Sequence, residues 1–267
     1  MQIIDINLND IENFQNHLLD KTYTRKGKEV LYSNDYLATI QLRAKEVFTY
    51  AVMHQVIRFN PFDQVEIVRR HTPDVKNEIT IITKDEYDRF IDVVDDPTER
   101  ALFSTLFWCG LRIGEALALD ISDYNAHRKQ LNIYKSYNNH QQQISTTKTG
   151  NSRIIAIPEQ CYKDIDKLLD SYKEFEYEDT FPLFGFTRRL SKSTLERSKR
   201  KYIDEANVPY FTFHELRHTH VSILIQLGMR DIDIAKRLGH SVQMVNETYG
   251  HLYPSDKEKL LNKLNAL

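Results

Sequence analysis

The chain has 267 residues, of which 41% are hydrophobic and 28% are charged, so it is neither disordered nor fibrous and is long enough for two domains. Thirty-six Lys and Arg against 38 Asp and Glu give a formal net charge of −2, which argues mildly against a nucleic-acid partner. The chain has no Gly-rich nucleotide-binding fingerprint and no apolar run near the ~20 residues needed to span a membrane. Its two cysteines are too few for a disulfide framework, which favours a protein of a reducing cellular interior.

The first 70 residues predict helices. A periodic apolar run begins after Asn9-Asp10 with Ile11 and Phe14, and a longer helical stripe extends from Leu37 to Val52 and is stopped by Asn60-Pro61. The stretch after it is charged and has no stripe. We therefore predict a helical domain over 1–68 and a linker over 69–82.

The segment that follows begins a second domain, predicted over 83–267. Thr83 and Glu86 form a capping box that opens a helix. The next helix, about 98–109, is apolar on most sides, which predicts the centre of a core.

Residues 121–157 change to the period of a strand. Three short strands are predicted at 131–137, 141–146 and 153–157, and helices follow from Pro158 except for a loop at 180–187. A C-terminal helix at about 255–267 carries a leucine stripe that docks either on its own domain or on a neighbouring protomer. The predicted fold is mainly α with a small antiparallel β-sheet (α+β).

Charge is distributed unevenly along the chain. Residues 127–157 hold five basic and no acidic residues, 187–240 hold 11 basic and six acidic, and 77–126 hold four basic and 11 acidic. The densest run, 187–201, has seven Lys or Arg in fifteen residues. Such a run contacts phosphates or forms a solvated helix face, and by itself it favours the solvated face.

Two cationic residues outside the basic run, Arg112 and Lys148, are candidate catalytic residues. Arg112 lies at a Gly-flanked turn between two helices, in CGLRIGE. Lys148 lies at the tip of a β-hairpin, in TTKTGNSR. Each of them alone is more often structural or solubilising than catalytic.

The segment FHELRH is ambiguous. His214, Glu215 and His218 match the H-E-x-x-H pattern of zinc peptidases, which places both imidazoles on one helix face. Arg217 would bring a fixed positive charge close to the metal, and none of the usual spacings for a third ligand follows. A zinc peptidase is therefore a weak alternative.

The last local feature is the turn Gly239-His240, followed nine residues later by Tyr249. The frame of this turn also resembles a helix-turn-helix, with Ser241 as the N-cap of the second helix. A second alternative is therefore a non-catalytic DNA-binding regulator that uses residues 231–249.

Taken together and in this order, these features resemble the tyrosine recombinases, the phage integrase family. The resemblance covers about 83–253 and includes GLRIGE, the TKTGNSR hairpin, HELRHTH, LGH and the terminal tyrosine. Residues 48–52 and 60–62 resemble the helical core-binding domain of phage and conjugative-transposon integrases. Fewer residues precede this signature than is usual in the family, so we expect a partial core-binding domain.

The resemblance implies a recombinase that cuts and rejoins DNA through a covalent 3′-phosphotyrosine. Tyr249 would be the nucleophile, because a phenol that loses its proton can attack phosphorus. His214 would accept that proton, and Lys148 would protonate the leaving 5′ oxygen. The phosphate would be held by Arg112, Arg217 and His240, with Glu115 orienting Arg112 and with His218 and His220 in packing or supporting roles.

The resemblance also implies partners and location. It implies double-stranded DNA attachment sites, a homotetramer that passes through a Holliday junction, accessory DNA-bending or directionality proteins, and no metal or other cofactor. It is compatible with a monomer in solution, and it implies a cytoplasmic, nucleoid-associated protein without a membrane partner. The basic residues expected to contact DNA are Arg69, Arg70, Arg188, Arg189, Lys192, Arg197, Lys199 and Arg200.

Overall fold

A computed structural model describes residues 2–25, 27–71, 80–146 and 152–253. The chain divides into two compact units, residues 1–78 and 79–267. Each unit is described by itself below. No helix among the described residues is long and apolar enough to cross a bilayer.

The N-terminal unit contains two helices and a hairpin. Its elements are α1 (Leu8–Leu19), β1 (Thr22–Arg25), β2 (Lys28–Leu31) and α2 (Asn34–Met53). Asn7 caps α1 and Ser33 caps α2, because each side-chain oxygen accepts a hydrogen bond from a backbone amide of the first turn. The small apolar core is formed by Ile11, Phe48 and Phe62.

The structure differs from the sequence prediction at two points of this unit. The antiparallel β1–β2 hairpin, which pairs Thr22 with Leu31, was not predicted, since its strands carry no buried face. Helix α2 ends at Met53 and not at Asn60. Asn60 instead caps a 3₁₀ turn, Pro61–Gln64, and its amide donates to the Lys45 carbonyl of α2.

The second unit is mostly helical. Its helices are α3 (Lys84–Asp92), α4 (Pro97–Cys109), α5 (Ile113–Ala118), α6 (Glu159–Tyr172), α7 (Lys192–Ala206), α8 (Phe213–Gln226), α9 (Asp231–Leu238) and α10 (Val242–Tyr249). The capping box of α3 is present as predicted. Helix α4 is the central helix, as its apolar sequence predicted, and it packs against α6 and α8.

The predicted strands form two small antiparallel sheets. The strands are β3 (Tyr124–Asn125), β4 (Gln130–Ile133), β5 (Lys135–Asn138), β6 (Gln143–Thr146) and β7 (Arg153–Ala156), in the orders β3-β4-β7 and β5-β6. The strand predicted over 131–137 is interrupted at Tyr134. Directly after it, Lys135 turns inward, where its ammonium group pairs with Asp120 and Asp123.

The C-terminal part of the unit has a core cluster of its own. It is formed by α8, α9 and α10 around Val221, Ile234, Leu238 and Val245. Gly239 ends α9 in the left-handed conformation and the Ser241 hydroxyl caps α10, so the predicted helix-turn-helix frame is present. The predicted helix at 255–267 lies outside the described residues.

The first prediction concerns Gly110, which ends α4 at a φ of +65°. A Cβ at this position would lie 2.4 Å from Cδ2 of His220, so Gly110→Ala combines backbone strain with a clash. Gly228→Ala is the matched control, because Gly228 has a φ of +78° and no atom within 4 Å of its would-be Cβ. Strain of about 1–2 kcal/mol is expected in both. Urea unfolding followed by circular dichroism should give a clearly lower midpoint for Gly110→Ala, and equal midpoints would contradict the clash.

Candidate active site

The site begins at the turn between α4 and α5. Gly110 reverses the chain, and Arg112 becomes the N-cap residue of α5. The Arg112 amide donates to Oε2 of Glu115 at 3.0 Å, and its Nη1 donates to Oε1 at 3.0 Å. One short segment therefore supplies both an arginine and the carboxylate that fixes it.

The Glu115 carboxylate lies among three arginines. Its side chain is 2% exposed, and Arg153 of β7 binds it in a bidentate manner, with Nη1 3.1 Å from Oε1 and Nη2 2.7 Å from Oε2. Arg217 Nη1 lies 3.9 Å from Oε2. Burial opposes ionisation of this carboxyl, but the hydrogen bonds and charge of Arg153, with Arg112 and Arg217, lower its pKa.

Arg217 of α8 is completely buried and is held from three sides. Its Nη1 donates to the Gly110 carbonyl at 2.6 Å, and its Nη2 donates to the Leu238 carbonyl at 2.9 Å and lies 2.8 Å from Nε2 of His240. Its Nε has no hydrogen-bond partner among the described residues. Burial, followed by the nearby charge of Arg112, lowers the pKa of Arg217 to about 9, so the group remains a cation at neutral pH.

His240 lies on the turn between α9 and α10, beside Arg217. Burial, followed by the charges of Arg217 and Arg112, lowers the pKa of His240 to about 3. The imidazole is therefore neutral at pH 7, and its Nε2 faces the Arg217 guanidinium. Its Nδ1 is buried and has no hydrogen-bond partner within the described ranges.

Tyr249 ends α10 and is 2% exposed. Its hydroxyl lies 2.6 Å from Nδ1 of His218, one helical turn after His214 on α8. Burial raises the pKa of Tyr249, and the charge of Arg217 partly offsets this effect. The residue in contact with the tyrosine hydroxyl is thus His218, to which sequence reasoning gave only a packing or supporting role.

The other histidines of α8 have different surroundings. The His214 ring is exposed and meets the His218 ring edge to face, with centroids 4.5 Å apart. His220 is buried, and its Nε2 accepts a hydrogen bond from Arg237 Nε at 3.1 Å. His220 therefore supports the α4–α5 turn, where it lies against Gly110. In the described parts of the chain, no three His, Cys, Asp or Glu side chains are grouped to hold a metal ion.

Some of the basic residues predicted to contact DNA are exposed in the structure, and the others are partly or fully buried. The exposed side chains are those of Arg69, Arg188, Lys192, Arg197 and Arg200. Arg70 is half-buried, and its guanidinium donates to the carbonyls of Leu19 and Tyr32. Lys148 lies outside the described residues.

Two predicted DNA contacts are corrected by their surroundings. Lys199 is 0% exposed, and its ammonium group donates to the Phe211 carbonyl at 2.6 Å and pairs with Glu196 at 2.8 Å. Arg189 pairs with Asp120 and donates to the Leu117 carbonyl at 2.7 Å. Both cations stabilise the interior of the domain, because a basic run on a helix cannot indicate which of its positions face inward.

Sequence reasoning missed Arg153 and Arg237, and it gave His218 only a packing or supporting role. Arg153 was within the TKTGNSR motif, which was predicted as a hairpin, but in the structure it begins β7, which pairs with β4 and not with β6, and no local pattern indicates that it is the counter-ion of Glu115. Arg237 of α9 donates to the carbonyls of Ala156 and Trp108, which are far away in the sequence, so no local sequence pattern could have predicted these contacts. Two arginines and a neutral histidine that lie together can bind a tetrahedral oxyanion, and the phenol of Tyr249 is near enough for the charge of Arg217 to act on it.

The second prediction concerns the counter-ion. Glu115→Gln should lower the free energy of unfolding at pH 7 by about 3–5 kcal/mol, because it leaves buried guanidinium charge uncompensated. The pKa of Glu115 is lowered in the folded state, so its contribution is present above the unfolded value and is lost as pH falls through the folded value. The difference between the two proteins in urea titrations should therefore shrink below pH 4. Asp170→Asn, which breaks an exposed pair with Lys173, is the control and should leave the midpoint nearly unchanged, whereas an equal loss in both variants would contradict the prediction.

Comparison with known proteins identifies a family for the sequence. The sequence model of the phage integrase family matches residues 80–256. The ICEBs1 integrase of Bacillus subtilis (strain 168) is 30% identical over 97% of this chain and 70% of its own length. A XerC-like tyrosine recombinase of Caldanaerobacter subterraneus subsp. tengcongensis is 26% identical over 100% of this chain and 73% of its own length.

Solved structures share the fold. The integrase of transposon Tn1549, in complex with a circular intermediate DNA, superposes with a TM-score of 0.70 at 18% identity, over 99% of this chain and 87% of that one. A lambda integrase tetramer bound to a Holliday junction gives a TM-score of 0.58 at 18% identity, over 90% of this chain and 65% of that one. Because the family model matches about two thirds of the chain and the ICEBs1 integrase is 30% identical to nearly all of it, the chain belongs to the phage integrase family of tyrosine recombinases.

Proposed function

We propose that this protein is a site-specific DNA recombinase that integrates or excises a mobile element by cutting and rejoining DNA strands through a covalent 3′-phosphotyrosine. The observation that carries this proposal is that Arg112 and Arg217 share the Glu115 carboxylate and His240 lies against Arg217, while Tyr249 is near enough for the charge of Arg217 to act on it. The second unit is the catalytic domain. The first unit is a core-binding domain that contacts the same DNA.

Charge complementarity supports the binding of a scissile phosphate. The phosphodiester is anionic, and its pentacovalent transition state carries more negative charge around phosphorus. Arg217 is fixed in place by two backbone carbonyls, so it needs no reorganisation as that charge develops. Arg112 retains 27% exposure of its side chain and can reach a phosphate from the open side. His240 contributes a neutral imidazole beside Arg217.

Covalent catalysis needs a nucleophile and two proton transfers. Tyr249 attacks phosphorus, the 5′ oxygen leaves, and the phosphotyrosine preserves the energy of the broken bond for religation. Lys148 donates a proton to the leaving 5′ oxygen. His214, which the family resemblance makes the acid–base group, lies at the exposed edge of α8, where it can face an incoming phosphate. Glu115 acts through Arg112 and Arg153, which it positions.

The partners follow from the chemistry and from the relatives. Reciprocal exchange between two duplexes needs four active sites, and a lambda integrase structure of the same fold is a tetramer on a Holliday junction. We therefore propose a homotetramer on double-stranded attachment sites, with accessory DNA-bending or directionality proteins setting direction. Such a protein would act in the cytoplasm, at the nucleoid.

The third prediction tests this function directly. Incubation with a nicked attachment-site duplex in EDTA should trap a covalent protein–DNA adduct on a denaturing gel. Tyr249→Phe should abolish the adduct, because the attacking oxygen is missing, while Tyr253→Phe is a matched control four residues away. A non-catalytic regulator predicts no adduct from any variant, and a zinc peptidase predicts EDTA-sensitive proteolysis instead.

The fourth prediction concerns the exposed cations of α7. If Arg197 and Arg200 each contact one phosphate, replacing both by Ala should reduce the slope of log affinity against log salt by about 2. Lys199→Met is the control, because its ammonium group is buried, and it should lower stability without changing the slope. Gel-shift titrations at several salt concentrations measure both, and an unchanged slope for the double variant would refute the contact.

A further inference from the structure

We infer that His218, and not His214, takes the proton of Tyr249 as the tyrosine attacks the scissile phosphate. This inference rests on the proposed function and adds a catalytic residue to it. The observation is geometric: the Tyr249 hydroxyl lies 2.6 Å from Nδ1 of His218, which is the distance of a strong hydrogen bond between a phenol and an imidazole.

The direction of this hydrogen bond follows from the ionisation of its two partners. Burial raises the pKa of Tyr249, so its hydroxyl carries a proton at neutral pH and donates. Burial, followed by the charge of His214, lowers the pKa of His218 to about 4, so its ring is neutral. The hydroxyl then donates to Nδ1, and the single proton of the imidazole is on Nε2.

His214 is arranged differently. Its side chain is exposed, and its ring packs edge to face against the His218 ring, at a centroid distance of 4.5 Å. A general base must lie within hydrogen-bond reach of the proton it removes, and His218 meets this criterion before substrate arrives. His214 is then left to contact the phosphate or its oxygens from the solvent side.

The reaction balances with His218 as acceptor. The Oη–H bond of Tyr249 breaks, and an Nδ1–H bond forms on His218. An electron pair of Oη forms the bond to phosphorus, the bond from phosphorus to the 5′ oxygen breaks, and the departing oxygen takes a proton from Lys148. Religation reverses each step, with the His218 imidazolium returning its proton to Tyr249.

The charges around His218 make the transfer depend on substrate. The groups that face it are His214, Glu215 and Arg217 from α8 and Tyr249 from α10. Without DNA, the Arg217 cation disfavours a second cation on His218. A phosphodiester bound by Arg217 adds negative charge and therefore raises the proton affinity of His218 when the tyrosine must be deprotonated.

The fifth prediction tests the proton acceptor with two variants. His218→Asn can place an oxygen acceptor near the position of Nδ1 but cannot hold a proton, and His218→Ala removes both properties. Both variants should cleave the nicked duplex at least about 10²-fold more slowly than the unmodified chain in single-turnover assays at pH 7. Gel shifts and thermal melting should show that DNA affinity and folding are retained.

The pH profile supplies a readout that a structural role would not change. Between pH 6 and 9 the unmodified chain should cleave at a nearly constant rate, because His218 is already neutral. Both His218 variants should gain about tenfold in rate per pH unit, since hydroxide replaces the missing base. His214→Asn is the matched control on the same helix face, and it should lower the rate while keeping the flat profile.

A modified leaving group separates the two proton transfers. With sulfur in place of the bridging 5′ oxygen the leaving group needs no proton, so Lys148→Ala should recover its rate while the His218 variants remain slow. Cleavage by His218→Asn within threefold of the unmodified chain would overturn the inference and leave the proposed function standing. Absence of an adduct from the unmodified chain would instead overturn the proposed function, and the inference with it.

Discussion

The site depends on one buried carboxylate. Three guanidinium groups converge on the α4–α5 turn, and at an effective dielectric of about 20 two like charges 4 Å apart repel by about 4 kcal/mol. Glu115 makes this arrangement stable by accepting hydrogen bonds from Arg112 and Arg153 while lying 3.9 Å from Arg217. Since it carries a single negative charge, the cluster keeps a positive surplus. That surplus is the property that a phosphate-binding pocket requires.

The same cluster explains why net charge gave a misleading first indication. Among the acidic residues of the described part of the chain, Glu115 is the one that pairs with these three arginines, so it neutralises only part of their charge. The nearby histidines add no further positive charge, because burial and the arginine cations keep His240 and His218 neutral at pH 7. They can therefore accept protons or hydrogen bonds, a role that an imidazolium could not fill.

Local features of the sequence were sufficient to predict the turns and helix starts. The capping box at Thr83, the Gly110 turn before Arg112 and the Ser241 cap all depend on residues within a few positions of one another. Long-range contacts were beyond such reasoning. Three examples are the inward turn of Lys135, the burial of Lys199 and the contact between His218 and Tyr249, which are 31 residues apart. Tertiary packing determines these contacts, and neither periodicity nor motif spacing carries information about it.

Helix α8 joins the two halves of the mechanism. Its first half packs in the main core through Phe213 and Leu216, and its second half packs through Val221 in the separate cluster that contains Tyr249. Adjacent residues of a helix point about 100° apart, so Arg217 extends toward the Gly110 and Leu238 carbonyls while His218 extends toward Tyr249. A rigid helix therefore sets the spacing between the arginine that is proposed to hold the phosphate and the histidine that contacts the tyrosine hydroxyl.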